Sequence, residues 1–112
     1  MNRAEVSALP DRAAGQEFVY AVARCDGVVK IGCTADPKTR IATLFDLFRR
    51  SGHSMTGAYV VSCVHRWSTE RLIRRMLAER GARPIANSKE WFQHIDPSDV
   101  ADVVRDAAMK YA

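Results

Sequence analysis

The feature that most constrains this chain is a turn. Two runs rich in β-branched and aromatic residues, FVYAVARC and VVKIGCT, flank Asp26-Gly27, a strong local signal for a β-hairpin. Side chains alternate between the faces of a strand, so a shift of one residue exchanges the two faces. A two-residue turn at Asp26-Gly27 would put Tyr20 and Lys30 on opposite faces and scatter the apolar residues over both. A three-residue loop, Cys25-Asp26-Gly27 with Gly27 left-handed in a bulge, instead pairs Arg24 with Val28 and Val22 with Lys30. One face then reads Val19, Ala21, Ala23, Val29, Ile31 and Cys33, all apolar, while the other carries Phe18, Tyr20, Val22, Arg24, Val28, Lys30 and Gly32. The three-residue loop is therefore expected. It makes Tyr20 and Lys30 diagonal neighbours, within reach of one small ligand group.

After the hairpin, Asp36 is a good N-cap and Pro37 a favourable first helical residue. A helix should run from 37 to about 50, with Ile41, Leu44, Phe45 and Phe48 as its core stripe and Arg40 in its first turn. Ser51-Gly52 ends it. The run AYVVSCV predicts a third strand over 58–64, buried on both faces. Ser68 or Thr69 should cap a second helix that reaches about Arg80, with Leu72, Ile73, Met76 and Leu77 inward and Arg71, Arg74 and Arg75 on a basic outer side. Residues 81–89 read as a loop. Glu90-Trp91-Phe92 reads as a short extended piece whose rings seal the core beside Met76 or Leu77. Asp96-Pro97 starts a last helix, with Val100, Val103, Val104, Ala107 and Tyr111 as its apolar face. The expected fold is α/β: a small antiparallel or mixed three-stranded sheet, hairpin plus third strand, flanked by helices. Residues 1–16 would be a flexible N-terminal segment and 17–112 a single domain.

A chain of 112 residues suits one domain with one modest core. The first sixteen residues lack the apolar core of a secretory signal, and no stretch is apolar enough to span a membrane. Cys25, Cys33 and Cys63 are odd in number and share no metal-ligand spacing, which favours reduced thiols in a cytoplasm. His53, His65 and His94 form no motif. The net charge is +4, unevenly placed: from Lys38 to Lys89 eleven Lys/Arg face three Asp/Glu, a local excess of +8. Such a block fits a surface that meets polyanions, with Arg71, Arg74, Arg75 and Lys38 as the expected nucleic-acid contacts.

Taken singly, a strand Tyr is ordinarily packing, a strand Lys solvates an edge and a helical Arg lies at the surface. Their order carries more. Val19-Tyr20, about ten residues to Lys30-Ile31-Gly32, then eight residues to Arg40, resembles the GIY-YIG endonuclease superfamily, in the branch whose second motif reads KIG. Glu70 near a helix start and Glu90-Trp91-Phe92 resemble that branch's later motifs. The resemblance runs from about Phe18 to Phe92, and members of the branch occur as small phage-borne and bacterial proteins.

The resemblance implies a metal-dependent endonuclease that hydrolyses phosphodiester bonds in DNA, or in RNA. Tyr20 would activate water. Lys30, standing where the second Tyr of the eponymous motif would be, would assist Tyr20 or hold the attacked phosphate. Arg40 would clamp that phosphate through its planar fork. Glu70 would hold one magnesium or manganese ion. Gly32 would let the backbone approach the DNA or the helix start, and Asn87 matches a late Asn that orients groups at the site. Related sequences often carry His four residues beyond the Glu, where this chain has Arg74. An alternative of another class is a nucleic-acid-binding module of the same fold whose catalytic set is incomplete; a third is an interaction subunit with a structural Glu70. Sequence specificity would come from loops or a partner protein.

Overall fold

The hairpin forms in the expected register: Val22 pairs with Lys30 and Tyr20 with Gly32 in an antiparallel ladder. The structure, a computed structural model, describes residues 1–10, 15–86, 88 and 90–110. Strands β1 (Glu17–Arg24) and β2 (Val29–Thr34) are joined by Cys25-Asp26-Gly27. Arg24 N–H donates to the Val28 carbonyl and Gly27 N–H to the Arg24 carbonyl, and Gly27 has φ 84°. Only a residue without Cβ sits there at little cost. Arg24 also clasps the loop, donating from Nε and Nη2 to the two carboxylate oxygens of Asp26 at 2.8 and 2.7 Å. That hydrogen bonding holds the Asp26 carboxyl down at about 2, so the clasp is intact at any pH above the ordinary carboxyl range.

Helix α2 (Pro37–Arg50) starts as its sequence predicts, with the Asp36 side chain accepting the Thr39 N–H and Pro37 in the first turn. Strand β3 (Met55–Cys63) begins three residues earlier than expected and pairs with β1, with a bulge between Ala23 and Arg24. It is an edge strand of intermediate burial rather than a strand buried on both faces. Helix α3 (Arg66–Glu79) also starts early, at an N-cap, His65, that makes no side-chain cap bond. Ser68 and Thr69 are thus inside the helix, and the Thr69 hydroxyl is buried without a partner among the described residues.

The sheet corrects the three-stranded expectation, although the class remains α/β. It has five strands, all antiparallel, in the order β3-β1-β2-β5-β4. The additions are β4 (Arg83–Pro84) and β5 (Trp91–Gln93), of two and three residues. They extend the far side of β2, where Val29 faces Phe92 and Lys30 faces Trp91. Segments that short carry no readable alternation; their pairing is a tertiary outcome.

Each face of the sheet has its own core. Val19, Ala21, Ala23, Val29 and Ile31 pack against Leu72, Ile73 and Leu77 of α3 and Val100, Val103, Val104 and Ala107 of α4 (Pro97–Lys110). Tyr20 and Val22 pack against Ile41, Leu44 and Phe48 of α2 and Val6 of α1 (Arg3–Ser7). The N-terminal segment read as flexible therefore includes a helix. Asn2 and Glu5 form a reciprocal capping box that satisfies its first N–H groups, and Val6 anchors it. Tyr111 lies outside the described residues.

Candidate nucleic-acid and catalytic site

Tyr20 and Lys30 meet as the register requires. Lys30 Nζ donates to the Tyr20 hydroxyl at 3.3 Å and lies 5.5 Å from the centre of that ring. Alternation sends both side chains to the α2 face, and β5 closes the place from the other side. The Lys30 ammonium sits 5.6 Å from the Trp91 ring centre and 3.4 Å from Glu90 Oε2. The Tyr20 hydroxyl, the Trp91 ring and a carboxylate therefore surround one cation, which offsets its removal from water. Tyr20 is wholly buried and the Lys30 side chain 11% exposed, whereas Glu90 is 56% exposed.

Trp91 joins this face, tilted against Phe48 at 6.0 Å, while Phe92 enters the opposite core. The expectation that both rings seal the core beside Met76 or Leu77 holds for Phe92 alone. Adjacent strand residues cannot share a face.

Gly32 lies directly beneath the Tyr20 ring. A Cβ built there would lie 2.6 Å from the Tyr20 hydroxyl oxygen and 2.8 Å from Cζ. The glycine makes room for the tyrosine. Gly32→Ala is expected to lower stability by about 1–3 kcal/mol, because a fully buried ring has nowhere to withdraw. A urea midpoint equal to wild type would exclude this close approach.

Glu70 lies in the second turn of α3 and is 6% exposed. Its Oε2 accepts the Cys33 thiol at 2.7 Å and its Oε1 takes Arg74 Nη1 at 3.2 Å. Burial and the neighbouring Glu70 carboxylate push the Cys33 thiol strongly up, so Cys33 remains a proton donor. Arg74, expected on the outer basic side, is turned inward as the counterion of Glu70. Because Cys33 belongs to the α3 face and Gly32 to the α2 face, Glu70 and the Tyr20–Lys30 pair approach β2 from opposite sides. Beyond Lys30 no strand among the described residues pairs with the outer edge of β2.

Arg40 is exposed in the first turns of α2, and no hydrogen bond or ion pair holds its guanidinium among the described residues. Arg71 and Arg75 are exposed on α3, while Lys38 is half-buried and its backbone N–H bonds to the Pro10 carbonyl. Asn87 lies outside the described residues. A surface groove of about 640 Å³, lined by Glu17, Ala35, Ser62, Cys63 and Val64 among others, contains none of Tyr20, Lys30, Arg40 and Glu70. Sequence reasoning missed two partners, Glu90 on Lys30 and Cys33 on Glu70. Cys33 was legible as a member of the apolar face of the hairpin, without the helix that covers it; Glu90 depends on the pairing of β5 with β2.

Residues 17–108 match the model of the T5orf172 domain, and the chain belongs to that family, a phage-associated group related to nucleases. No curated protein and no solved structure matches the chain. No helix among the described residues is long and apolar enough to cross a membrane.

Proposed function

We propose that this chain is a metal-dependent endonuclease of the GIY-YIG type that hydrolyses phosphodiester bonds in DNA. The observation that carries the reading is the contact between Lys30 Nζ and the Tyr20 hydroxyl, 3.3 Å apart over Gly32, at the positions where the nuclease motifs place their reactive pair. Membership of a nuclease-related family supports it. Hydrolysis of a phosphodiester needs a base for water and positive charge on the developing oxyanions. Tyr20 is the group suited to handle the water proton. Lys30 is suited to hold a non-bridging phosphate oxygen when it leaves Glu90, and the exposed fork of Arg40 to clamp the same phosphate.

Glu70 is the carboxylate suited to a single magnesium or manganese ion. Its carboxylate is the donor type that a hard dication completed by waters takes, and such an ion would displace the Arg74 side chain, 28% exposed, from Oε1 while Oε2 keeps the Cys33 thiol. Among the described residues there is no cluster of three or more His, Cys, Asp or Glu for a fuller cage. The ion, when bound, supplies charge for the leaving oxygen. Lys38, Arg71 and Arg75 are suited to backbone phosphates, and sequence specificity would come from a loop or a partner protein.

A second reading, a nucleic-acid-binding module with an incomplete catalytic set, is favoured by the complete burial of Tyr20 and the pairing of Glu70 with Arg74. Incubating the pure protein with supercoiled plasmid separates the two. Nicking that needs magnesium or manganese supports the nuclease. Tight, salt-sensitive binding without cleavage in either metal would transfer the conclusion to the binding module.

A further inference from the structure

Trp67 is 65% exposed and Val64, three residues earlier, 66%. An indole left in water at a helix surface gives up a large burial gain. One face of the ring is covered: the Arg66 guanidinium lies 4.7 Å from its centre and is tethered by Glu17 Oε1, 3.5 Å from Arg66 Nε. From Trp67 the same side of α3 continues through Arg71 and Arg75, at steps of four residues, or about 6 Å of helix rise each. Both arginines are exposed. Arg71 has no hydrogen bond or ion pair among the described residues, and Arg75 has only a long contact of 3.9 Å to the exposed Glu79. Arg74 is withdrawn from this stripe by Glu70.

We infer that the Trp67–Arg71–Arg75 stripe is a track for single-stranded nucleic acid, on which Trp67 stacks an unpaired base while the two arginines meet successive phosphates. The inference rests on the reading that this domain engages nucleic acid, and it names the form of nucleic acid the surface selects. An indole face is complementary to a base face, but in a duplex each base face is already covered by its neighbours. A second copy of this chain is the poorer occupant, because a contact centred on Trp67 would bring the cations around it on both copies, Arg66 and Arg71 among them, into one interface.

The test compares the full-length wild type with Trp67→Ala, Trp67→Phe and Arg71→Ala, each titrated in EDTA with a single-stranded oligothymidylate and with a blunt duplex of equal length. Trp67→Ala should weaken single-strand binding about 5- to 150-fold, the range for losing one stacked base. Trp67→Phe should keep most of it, and duplex affinity should stay within about twofold. Tryptophan fluorescence should quench on oligothymidylate binding in the wild type and lose that response in Trp67→Ala. Arg71→Ala should flatten the logarithmic salt dependence by about one.

Equal losses for single strand and duplex, or no loss for either, would overturn the track. So would a change from dimer to monomer on Trp67→Ala in sedimentation with no effect on oligonucleotide binding. If Trp67→Ala does not fold, the Trp67→Phe and Arg71→Ala comparisons decide. Plasmid cleavage that survives a failed stacking test leaves the nuclease reading standing and removes only the track. Binding to neither nucleic acid by the wild type removes both.

Discussion

Replacing Arg40 with Ala is expected to slow single-turnover cleavage by roughly a hundredfold to a thousandfold, the usual loss for one donor aimed at transition-state charge. DNA affinity in EDTA should change only severalfold, because one phosphate contact among several is removed. The side chain is exposed and unpaired among the described residues, so the melting temperature should not move. That combination distinguishes a catalytic arginine from a surface cation, which would alter affinity and salt dependence while leaving the rate constant at saturating DNA intact. A rate constant within threefold of wild type would remove Arg40 from the chemistry.

Glu70→Ala should abolish metal-dependent cleavage. Its interpretation needs a control, because Glu70 is buried and accepts from both Cys33 and Arg74. Removing it leaves two donors without their acceptor, at a cost of about 1–3 kcal/mol. Glu70→Gln keeps the shape and an acceptor oxygen but lacks the charge. The expectation is a Gln variant that melts close to wild type, binds DNA in EDTA as well or slightly better, and does not cut in either magnesium or manganese. Arg74→Ala sharpens the assignment. Freed of its internal counterion, Glu70 should bind manganese more tightly, which titration calorimetry reads without any DNA. Cleavage that persists in Glu70→Gln at wild-type rate would refute the metal role.

The hairpin was legible to the level of individual pairs, because strand alternation and the Cys25-Asp26-Gly27 loop constrain each other: only one loop length places Val19, Ala21, Ala23, Val29 and Ile31 together. The start of α2 was legible because Asp36-Pro37 is a local signal. The start of α3 was not, since His65 occupies the cap without a side-chain cap bond, and Ser68 and Thr69 advertised a cap they do not form. The outer strands were hidden because two or three residues cannot display a period. At the site, the Tyr20–Lys30 contact followed from register alone. The arrival of Glu70 from the opposite side of the sheet did not, since it depends on which face α3 covers, and neither did the pairing of Arg74 with it, which takes a cation out of the basic surface.

The position of β5 bears on the order in which this protein assembles. The hairpin joins neighbours in sequence, whereas β2 and β5 join residues about sixty positions apart, Lys30 with Trp91, so their closure bears the larger loop entropy and should come late. What closes late through two residue pairs also opens easily. β5 should therefore be among the low-stability units that open without global unfolding, and its release would uncover Lys30 and Tyr20 together. Amide hydrogen exchange reads this directly: the Ile31 N–H, bonded to the Glu90 carbonyl at 2.8 Å, should exchange far faster than that of Ala21 in the central strand.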